Sequence, residues 1–208
     1  MKALLNKPII NHPKAAFTLT SRIKKPLDLS SHLPFKFAVV TNLLQLNKDA
    51  SIRKITSLEP REFRVLLNVG SYMPIKSADI AYLGRLDSYT VSRAVKVLMK
   101  DDLVNIEVSK KNLKIKNLVL TQKGIDIYHQ LCASLNQRAE LLESVLTDNE
   151  KSELMRMLEL LEGQSEAMIA NYAIEEQLAN KDISADQKEI IRWYKKSKNA
   201  CSDNKNSN

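Results

Sequence analysis

The sequence predicts a mostly α-helical fold with one small β-hairpin, and three observations lead to that prediction. Glycine is scarce, with 4 residues in a chain of 208, which disfavours a β-rich fold with many tight turns. Apolar residues recur at three- and four-residue intervals over most of the chain, as they do along the buried side of amphipathic helices. Short β-like runs occur around residues 103–106 and 118–120.

The composition excludes several broad classes of protein. Hydrophobic residues make up 44% and charged residues 27%, values near those of globular domains, so neither a disordered tail nor a membrane protein is predicted. Cys132 and Cys201 are too few for a disulfide framework or a zinc cluster. The chain opens without the apolar core of a signal peptide, which favours a cytoplasmic location. An organellar transit peptide is the alternative for the basic first 31 residues, although three prolines interrupt any amphipathic helix there.

Charge is distributed unevenly along the chain. The first 123 residues hold 22 basic and 9 acidic groups, whereas the remainder holds 10 basic and 15 acidic groups. This distribution of charge is expected if the first part of the chain binds a polyanion such as double-stranded DNA and the second part binds protein. A solvated basic face without a ligand is the alternative.

Three segments are predicted: a basic, loosely ordered arm over residues 1–31, a central domain over 32–163, and a helical extension with a disordered tail over 164–208. The central domain should begin with a helix over residues 33–55. Pro60 suits the first turn of the next helix, which is expected to end near Gly70.

Two further helices, joined by a tight turn, form a helix-turn-helix. The first spans residues 77–83, and the second begins after Asp87, a good N-cap, with Val91, Ala94, Val95 and Leu98 on one apolar face. The opposite face offers hydroxyl, phenol and cationic groups that suit base edges and phosphates in a major groove. The candidate DNA-binding residues of this helix are Ser88, Tyr89, Thr90, Ser92, Arg93 and Lys96.

The predicted hairpin follows the helix-turn-helix directly, as the wing of a winged helix does. Its connecting stretch is basic and suits phosphate or a minor groove. The candidate residues of the wing are Lys110, Lys111, Asn112, Lys114 and Lys116. A basic, solvated turn is the alternative interpretation.

Long helices follow from Thr121 onward, with a capping box at Thr147 and Glu150 between two of them. Their apolar stripe is longer than a small winged domain can cover, so a second copy of the chain is the predicted cover. Packing within one monomer is the alternative. The candidate dimerisation residues are Leu131, Leu135, Leu142, Leu154 and Leu158. After Gly163 we expect a separate helix over residues 165–180, a last helix capped by Ser184, and disorder from residue 197 onward.

Residues 33–162 resemble the MarR-type winged-helix transcription regulators. Three stretches carry the resemblance: LEPREFRVL at residues 58–66, DIA through DSYTVSR at residues 79–93, and LVLTQKG at residues 118–124. The resemblance implies a homodimer on a pseudo-palindromic operator, with the recognition helix in the major groove and the wing at the minor groove. It also implies a small-molecule effector, for example a phenolic compound, that releases DNA.

This chain departs from the family pattern at several positions. Asn112 and Lys114 stand where the wing of the family carries an Asp-x-Arg pair, and lysine lacks the planar fork of arginine. Arg85 stands where the family has its turn glycine, and Asp102 replaces the common glycine after the recognition helix. Aspartate tolerates a left-handed backbone, so the second departure is mild.

The sequence contains no HExxH, GxSxG or glycine-rich phosphate loop, and its three histidines lie far apart. We therefore expect no enzyme activity, no cofactor, no metal and no membrane partner. The predicted function is a cytoplasmic, homodimeric, sequence-specific regulator. The alternatives are a protein-interaction adaptor that keeps the fold and an architectural DNA binder without sequence preference.

Overall fold

The computed structural model describes residues 17–45, 50–109 and 112–205. Eight helices and one hairpin follow one another along these residues. In chain order they are α1 (Leu33–Leu43), α2 (Ala50–Ile55), α3 (Pro60–Tyr72), α4 (Ser77–Gly84), α5 (Ser88–Lys100), β1 (Val104–Ser109), β2 (Asn112–Leu120), α6 (Gln122–Glu143), α7 (Asp148–Leu178) and α8 (Ala185–Lys205).

The chain divides into two compact units. One unit consists of the residues up to 60 together with residues 130–145, and the other consists of residues 61–129 and the chain from residue 146 onward. The helix-turn-helix, the hairpin, α7 and α8 all belong to the second unit. Helix α6 contributes its beginning to the second unit and the rest to the first.

The core of the second unit is built by the helix-turn-helix and the hairpin. Strands β1 and β2 pair antiparallel with Val104 opposite Leu120 and Ile106 opposite Leu118. Ile75, just before α4, exchanges two backbone hydrogen bonds with Leu118, so a short third segment joins the hairpin. The fully buried core residues of α3, α4 and α5 are Val65, Leu66, Val69, Ile80, Ala81, Val91, Ala94 and Leu98. The predicted mostly helical winged helix-turn-helix is confirmed.

Helix α3 ends at Tyr72, two residues after Gly70, so the prediction that this helix ends near the glycine is confirmed, although the glycine itself lies inside the helix. A Cβ atom at position 70 would collide with the ring of Tyr128. The glycine is therefore required for close packing of Tyr128 against a continuous helix, and it does not act as a helix terminator.

The start of α6 is fixed closely against the end of the recognition helix. Thr121 donates its backbone N–H to the Leu103 carbonyl oxygen at 3.1 Å and its hydroxyl to the Asp102 carbonyl oxygen at 2.7 Å. A Cβ atom at Gly124 would collide with the Leu103 carbonyl group, so this approach requires glycine. Asp102 itself has φ of 57°, the left-handed backbone expected for it.

The C-terminal helices differ from the prediction in two places. Helix α7 runs without interruption through Gly163, so the separate helix expected from residue 165 does not exist. A single glycine lowers helix propensity but does not end a helix unless a stop signal follows it. Helix α8 continues to Lys205, so the disorder expected from residue 197 onward is also wrong for the described part of that segment. The docked face of α8 accounts for its order, since Ser197 bonds to other helices of the unit.

Helices α7 and α8 pack against each other through a small apolar cluster of Ala173, Ile183 and Ile191. Gln187 also donates its side-chain N–H to Glu176 at 2.7 Å, and this bond is the main reason that the pKa of the Glu176 carboxyl is lowered. The two predicted caps are confirmed. Thr147 and Glu150 form a capping box at α7, and Ser184 caps α8.

The first unit contains α1, α2 and the greater part of α6. The sequence predicted one helix over residues 33–55, but the helix ends at Leu43 and α2 begins at Ala50; residues 46–49 lie outside the described chain. Apolar residues keep a helical spacing on both sides of the polar stretch between α1 and α2. Their spacing alone therefore does not reveal that the helix is interrupted. No residue of α1 is buried, whereas Ile52 and Leu131 are.

Residues 17–31 of the predicted arm contain no helix or strand, and residues 1–16 lie outside the description. Against α1, this segment forms an open, mainly apolar recess of about 520 Å³. Among the described helices, none is both long and apolar enough to cross a membrane.

Candidate nucleic-acid interface

The recognition helix α5 begins at the predicted N-cap. The Asp87 carboxylate accepts the backbone N–H of Thr90 at 2.8 Å. Hydrogen bonds from the Thr90 side chain and backbone lower the pKa of Asp87. Thr90, which was predicted to face the groove, is half-buried and takes part in the cap through its backbone N–H.

Helix α5 has one buried and one exposed face. Val91, Ala94, Val95 and Leu98 are buried, as the apolar spacing predicted. Tyr89 is 70% exposed, and the predicted DNA-binding residues on its side of the helix are exposed too. Those residues are Ser92, Arg93 and Lys96.

Within the exposed face, the Arg93 guanidinium lies 5.5 Å from the centre of the Tyr89 ring. This cation–π distance restricts the arginine to one side of the helix without removing it from solvent. The two residues together present a planar, positively charged group near the N-terminal end of α5. Such a group can donate two parallel hydrogen bonds to a guanine edge or to a phosphate.

Ser88, the first residue of α5, already has a partner within the chain. Its backbone N–H donates to Glu189 Oε2 at 3.1 Å, and its hydroxyl donates to the other oxygen of the same carboxylate. Glu189 belongs to α8 and is 7% exposed. A carboxylate at a helix N-terminus is favourable, because it satisfies free N–H groups and lies at the positive end of the helix dipole.

The turn between α4 and α5 is fixed by Arg85, which adopts φ of 48° where a glycine is usual. Its guanidinium donates to the Tyr82 carbonyl oxygen at 2.7 Å and to the Glu166 carboxylate at 3.0 Å. It also lies 4.5 Å from the centre of the Tyr82 ring and 5.9 Å from that of Trp193. Arg85 thus attaches the turn to α7 and α8.

The wing is described in part. Lys110 and Lys111 lie outside the described residues, and the description covers only the backbone of Asn112 and Lys114, at the start of β2. Lys116 is exposed on β2, opposite Val108. The DNA-binding roles of these five residues stay predictions.

The predicted dimerisation residues fall into two groups. Leu131 is fully buried within its own chain, so its burial does not require a second copy. Leu142 and Leu154 are 50% and 41% exposed, and Leu135 and Leu158 are half-buried. Four of the five thus keep apolar area that a partner can cover.

Sequence reasoning missed the contacts of Glu189, Glu166 and Trp193 with the helix-turn-helix. Ser88 and Glu189 are 101 positions apart, and Arg85 and Glu166 are 81 positions apart, so no local pattern joins them. One signal was present: Glu189, Trp193 and Ser197 recur every four residues, on one face of α8. Within the described ranges, no three potential metal ligands lie close enough together to hold a metal ion.

No family model matches the chain. An uncharacterised HTH-type transcriptional regulator from Staphylococcus aureus strain Mu50 is 21% identical over 99 residues, which cover 47% of this chain and 68% of that protein.

Several solved structures share the fold. A MarR/EmrR family transcriptional regulator from Acinetobacter sp. superimposes with a TM-score of 0.61 at 19% identity, over 67% of this chain and 98% of the other. PcaV from Streptomyces coelicolor, solved with its natural ligand, superimposes with a TM-score of 0.57 at 15% identity, over 66% of this chain and 96% of PcaV. MepR from Staphylococcus aureus, solved with DNA, superimposes with a TM-score of 0.55 at 17% identity, over 62% of this chain and 96% of MepR.

These likenesses define the class of fold as a winged helix-turn-helix extended by long helices. More particularly, it is the fold of the MarR-type transcriptional regulators, as the resemblance of residues 33–162 implied.

Proposed function

We propose that the chain is a DNA-binding transcriptional regulator of the MarR type, which binds a pseudo-palindromic operator as a homodimer. The observation that carries the proposal is the exposed face of α5, where Tyr89, Ser92, Arg93 and Lys96 stand free of the buried core on a complete helix-turn-helix. The Staphylococcus relative is named an HTH-type transcriptional regulator, and the MepR structure contains DNA. Both support the same class of function.

The experiment that tests the proposal is selection of bound sequences from a random duplex pool at near-physiological salt, followed by a mobility assay on the enriched sequence. We expect enrichment of a two-fold symmetric motif. Binding without enrichment would instead support an architectural DNA binder. Absence of binding to any duplex would contradict a DNA-binding role and favour the adaptor.

Arg93→Ala tests the groove-facing assignment. If Arg93 pairs with a guanine or a fixed phosphate, operator affinity should fall by about 1 to 3 kcal/mol. The matched control is Arg64→Ala, which removes an exposed arginine from α3. Equal affinities for the Arg93 variant and the control would contradict the assignment.

The contribution of the wing is tested by the salt dependence of DNA affinity. Lys110→Ala combined with Lys114→Ala should reduce the salt dependence of affinity by about one phosphate contact for each lysine. A slope identical to that of the unchanged protein would exclude these lysines from the interface.

The proposal includes a small-molecule effector. PcaV, which shares the fold, was solved with its natural ligand. In this chain, the recess between residues 17–30 and α1 is lined mainly by apolar side chains and also by polar ones that include Asp28 and Lys36. A panel of phenolic compounds should contain one that raises the melting temperature and weakens operator binding. The variant Leu27→Arg, which places a charge in the recess, should abolish both effects; retention of both would exclude the recess.

A further inference from the structure

Helix α8 is attached to the helix-turn-helix at both ends of its docked face. Near its start, Glu189 accepts both hydrogen bonds from Ser88 at the N-terminus of α5. About two turns further on, Lys196 pairs with Asp79 of α4 at 2.8 Å, and Ser197 bonds to the Tyr82 hydroxyl at 2.8 Å. Helix α8 therefore contacts the first residue of the recognition helix near its start and contacts α4 about two turns later.

The docked part of α8 is basic, although the chain from residue 124 onward is acidic in sum. Residues 188–198 contain five basic residues and one acidic residue, and the acidic one is Glu189. Because Glu189 is buried against Ser88, its charge lies away from the solvent-facing side of α8. The outer surface of this stretch of α8 is consequently cationic.

The cationic side chains form a stripe. Lys188, Arg192 and Lys195 are exposed and follow one another at intervals of four and three, which places them on one face of the helix. That face is opposite Trp193 and Ser197 on the docked side. Lys188 lies 3.9 Å from the fully exposed Asp182, whereas Arg192 and Lys195 form no ion pair with any residue in the described ranges.

The position of the stripe follows from the dimensions of DNA. A major groove is about 12 Å wide and a helix with its side chains is about 10 to 12 Å across, so a recognition helix fills the groove. The N-terminal residues of such a helix contact base edges. An element bonded to Ser88, the first residue of α5, therefore lies next to the helix end that enters the groove, close to the phosphates that border it.

We propose that α8 is a second DNA-contacting element, whose exposed stripe of Arg192 and Lys195, extended by Lys188, binds backbone phosphates beside the groove that α5 occupies. Glu189 is its positioning residue, because it holds α8 against the start of α5. The inference rests on the proposed function. It assigns to the C-terminal extension a contribution to affinity that is independent of the base sequence.

The test compares two double variants of the full chain, each of which removes one lysine and one arginine. The first is R192A with K195A on α8. The control is K54A on α2 with R64A on α3, two exposed basic residues on helices that are assigned neither to DNA contacts nor to the dimer. Affinity is measured over a salt series for the selected operator and for a duplex of random sequence.

For the α8 variant we expect a log–log salt slope that is shallower by about two, since each phosphate contact contributes about 0.9. At near-physiological salt, affinity for operator and random duplex should fall equally, by roughly tenfold. The control should keep the slope of the unchanged protein.

Unchanged slopes, or tighter binding by the α8 variant, would overturn the inference while the proposed function stands. Tighter binding would identify α8 as an obstacle to DNA. If the unchanged protein binds no duplex at all, the proposed function and this inference fail together.

Discussion

Helices α5 and α1 both contain many apolar residues, yet they differ in what covers them. Helix α5 buries Val91, Ala94, Val95 and Leu98 within its own chain. Helix α1 buries none of its 11 residues, and Val40 and Leu43 remain 49% and 70% exposed. The winged helix is thus complete in one chain, whereas the apolar side of α1 lacks a partner within the part of the chain that the structure describes.

Helix α7 shows the same contrast within a single element. Its first half exposes Leu154, Met157 and Leu160 and buries no residue, while its second half buries Ala170 and Ala173 on one face and leaves its other apolar side chains exposed. Those exposed side chains are Met168, Ile169, Tyr172 and Leu178. Apolar area left in water costs about 25 cal/mol per Å², so such surfaces favour association. Packing with α8 accounts for the buried face of the second half, and the proposed homodimer is the cover expected for the exposed apolar residues of the first half.

The largest effect is expected at α1. Val40→Glu with Leu43→Glu should convert a dimer into a monomer, because two charges cannot be buried unpaired in an apolar interface. Sedimentation at several concentrations measures the mass. Thr41→Glu, on an exposed polar position of the same helix, is the control. A stable dimer in the double variant would show that α1 lies outside the interface.

Gly124→Ala should destabilise the winged helix by about 2 to 3 kcal/mol, because the added Cβ would collide with the Leu103 carbonyl and the backbone must move. Urea unfolding measures the change. Gly163→Ala is the counterpart, since no atom lies within 4 Å of that Cβ position, and we expect a gain of about 0.5 to 1 kcal/mol. A loss of similar size at both positions would contradict the explanation.

Arg85→Gly should destabilise the protein by about 1 to 2 kcal/mol, although glycine suits a left-handed backbone. The lost bond to Glu166, whose side chain is 7% exposed, outweighs the relief of backbone strain. Asp102→Gly, at φ of 57° on an exposed residue, should instead be neutral or stabilising. If both variants gain stability, the network around Arg85 contributes less than its geometry indicates. Thermal and urea unfolding distinguish the two cases.

The smallest effect concerns the cap of α5. Asp87→Ala should cost about 1 kcal/mol at neutral pH. Because hydrogen bonds from Thr90 lower the pKa of Asp87, its carboxylate stabilises the fold above the usual pKa of 3.8, and that contribution disappears as pH falls through the lowered value.

Asp87→Asn retains an acceptor at the cap and serves as the control for this pH dependence. The difference in unfolding free energy between the unchanged protein and Asp87→Asn should shrink as the solution is acidified towards about pH 3. If the difference in unfolding free energy does not change with pH, the cap stabilises α5 through the shape of the Asp87 side chain and not through its charge.

The sequence predicted those features that depend on neighbouring residues. Asp87 as a cap, Asp102 as a left-handed residue and the capping box at Thr147 are determined within three or four positions, and all three predictions are confirmed. The continuity of α7 through Gly163 was missed, because propensity alone does not reveal tertiary support. The bond between Ser88 and Glu189 was missed because it joins two distant segments that only folding brings together.

The 31 residues of α7 form a continuous helix about 46 Å long. Such a helix acts as a lever: a rotation of about 5° at one end displaces the other by about 4 Å, roughly the rise of three residues. Glu166, which holds the turn, lies about 27 Å along this helix, and α8, which holds the first residue of the recognition helix, packs against α7 beyond it. A small change in how two copies meet along the first half of α7 would therefore shift the spacing of two recognition helices by a distance comparable to one base-pair step.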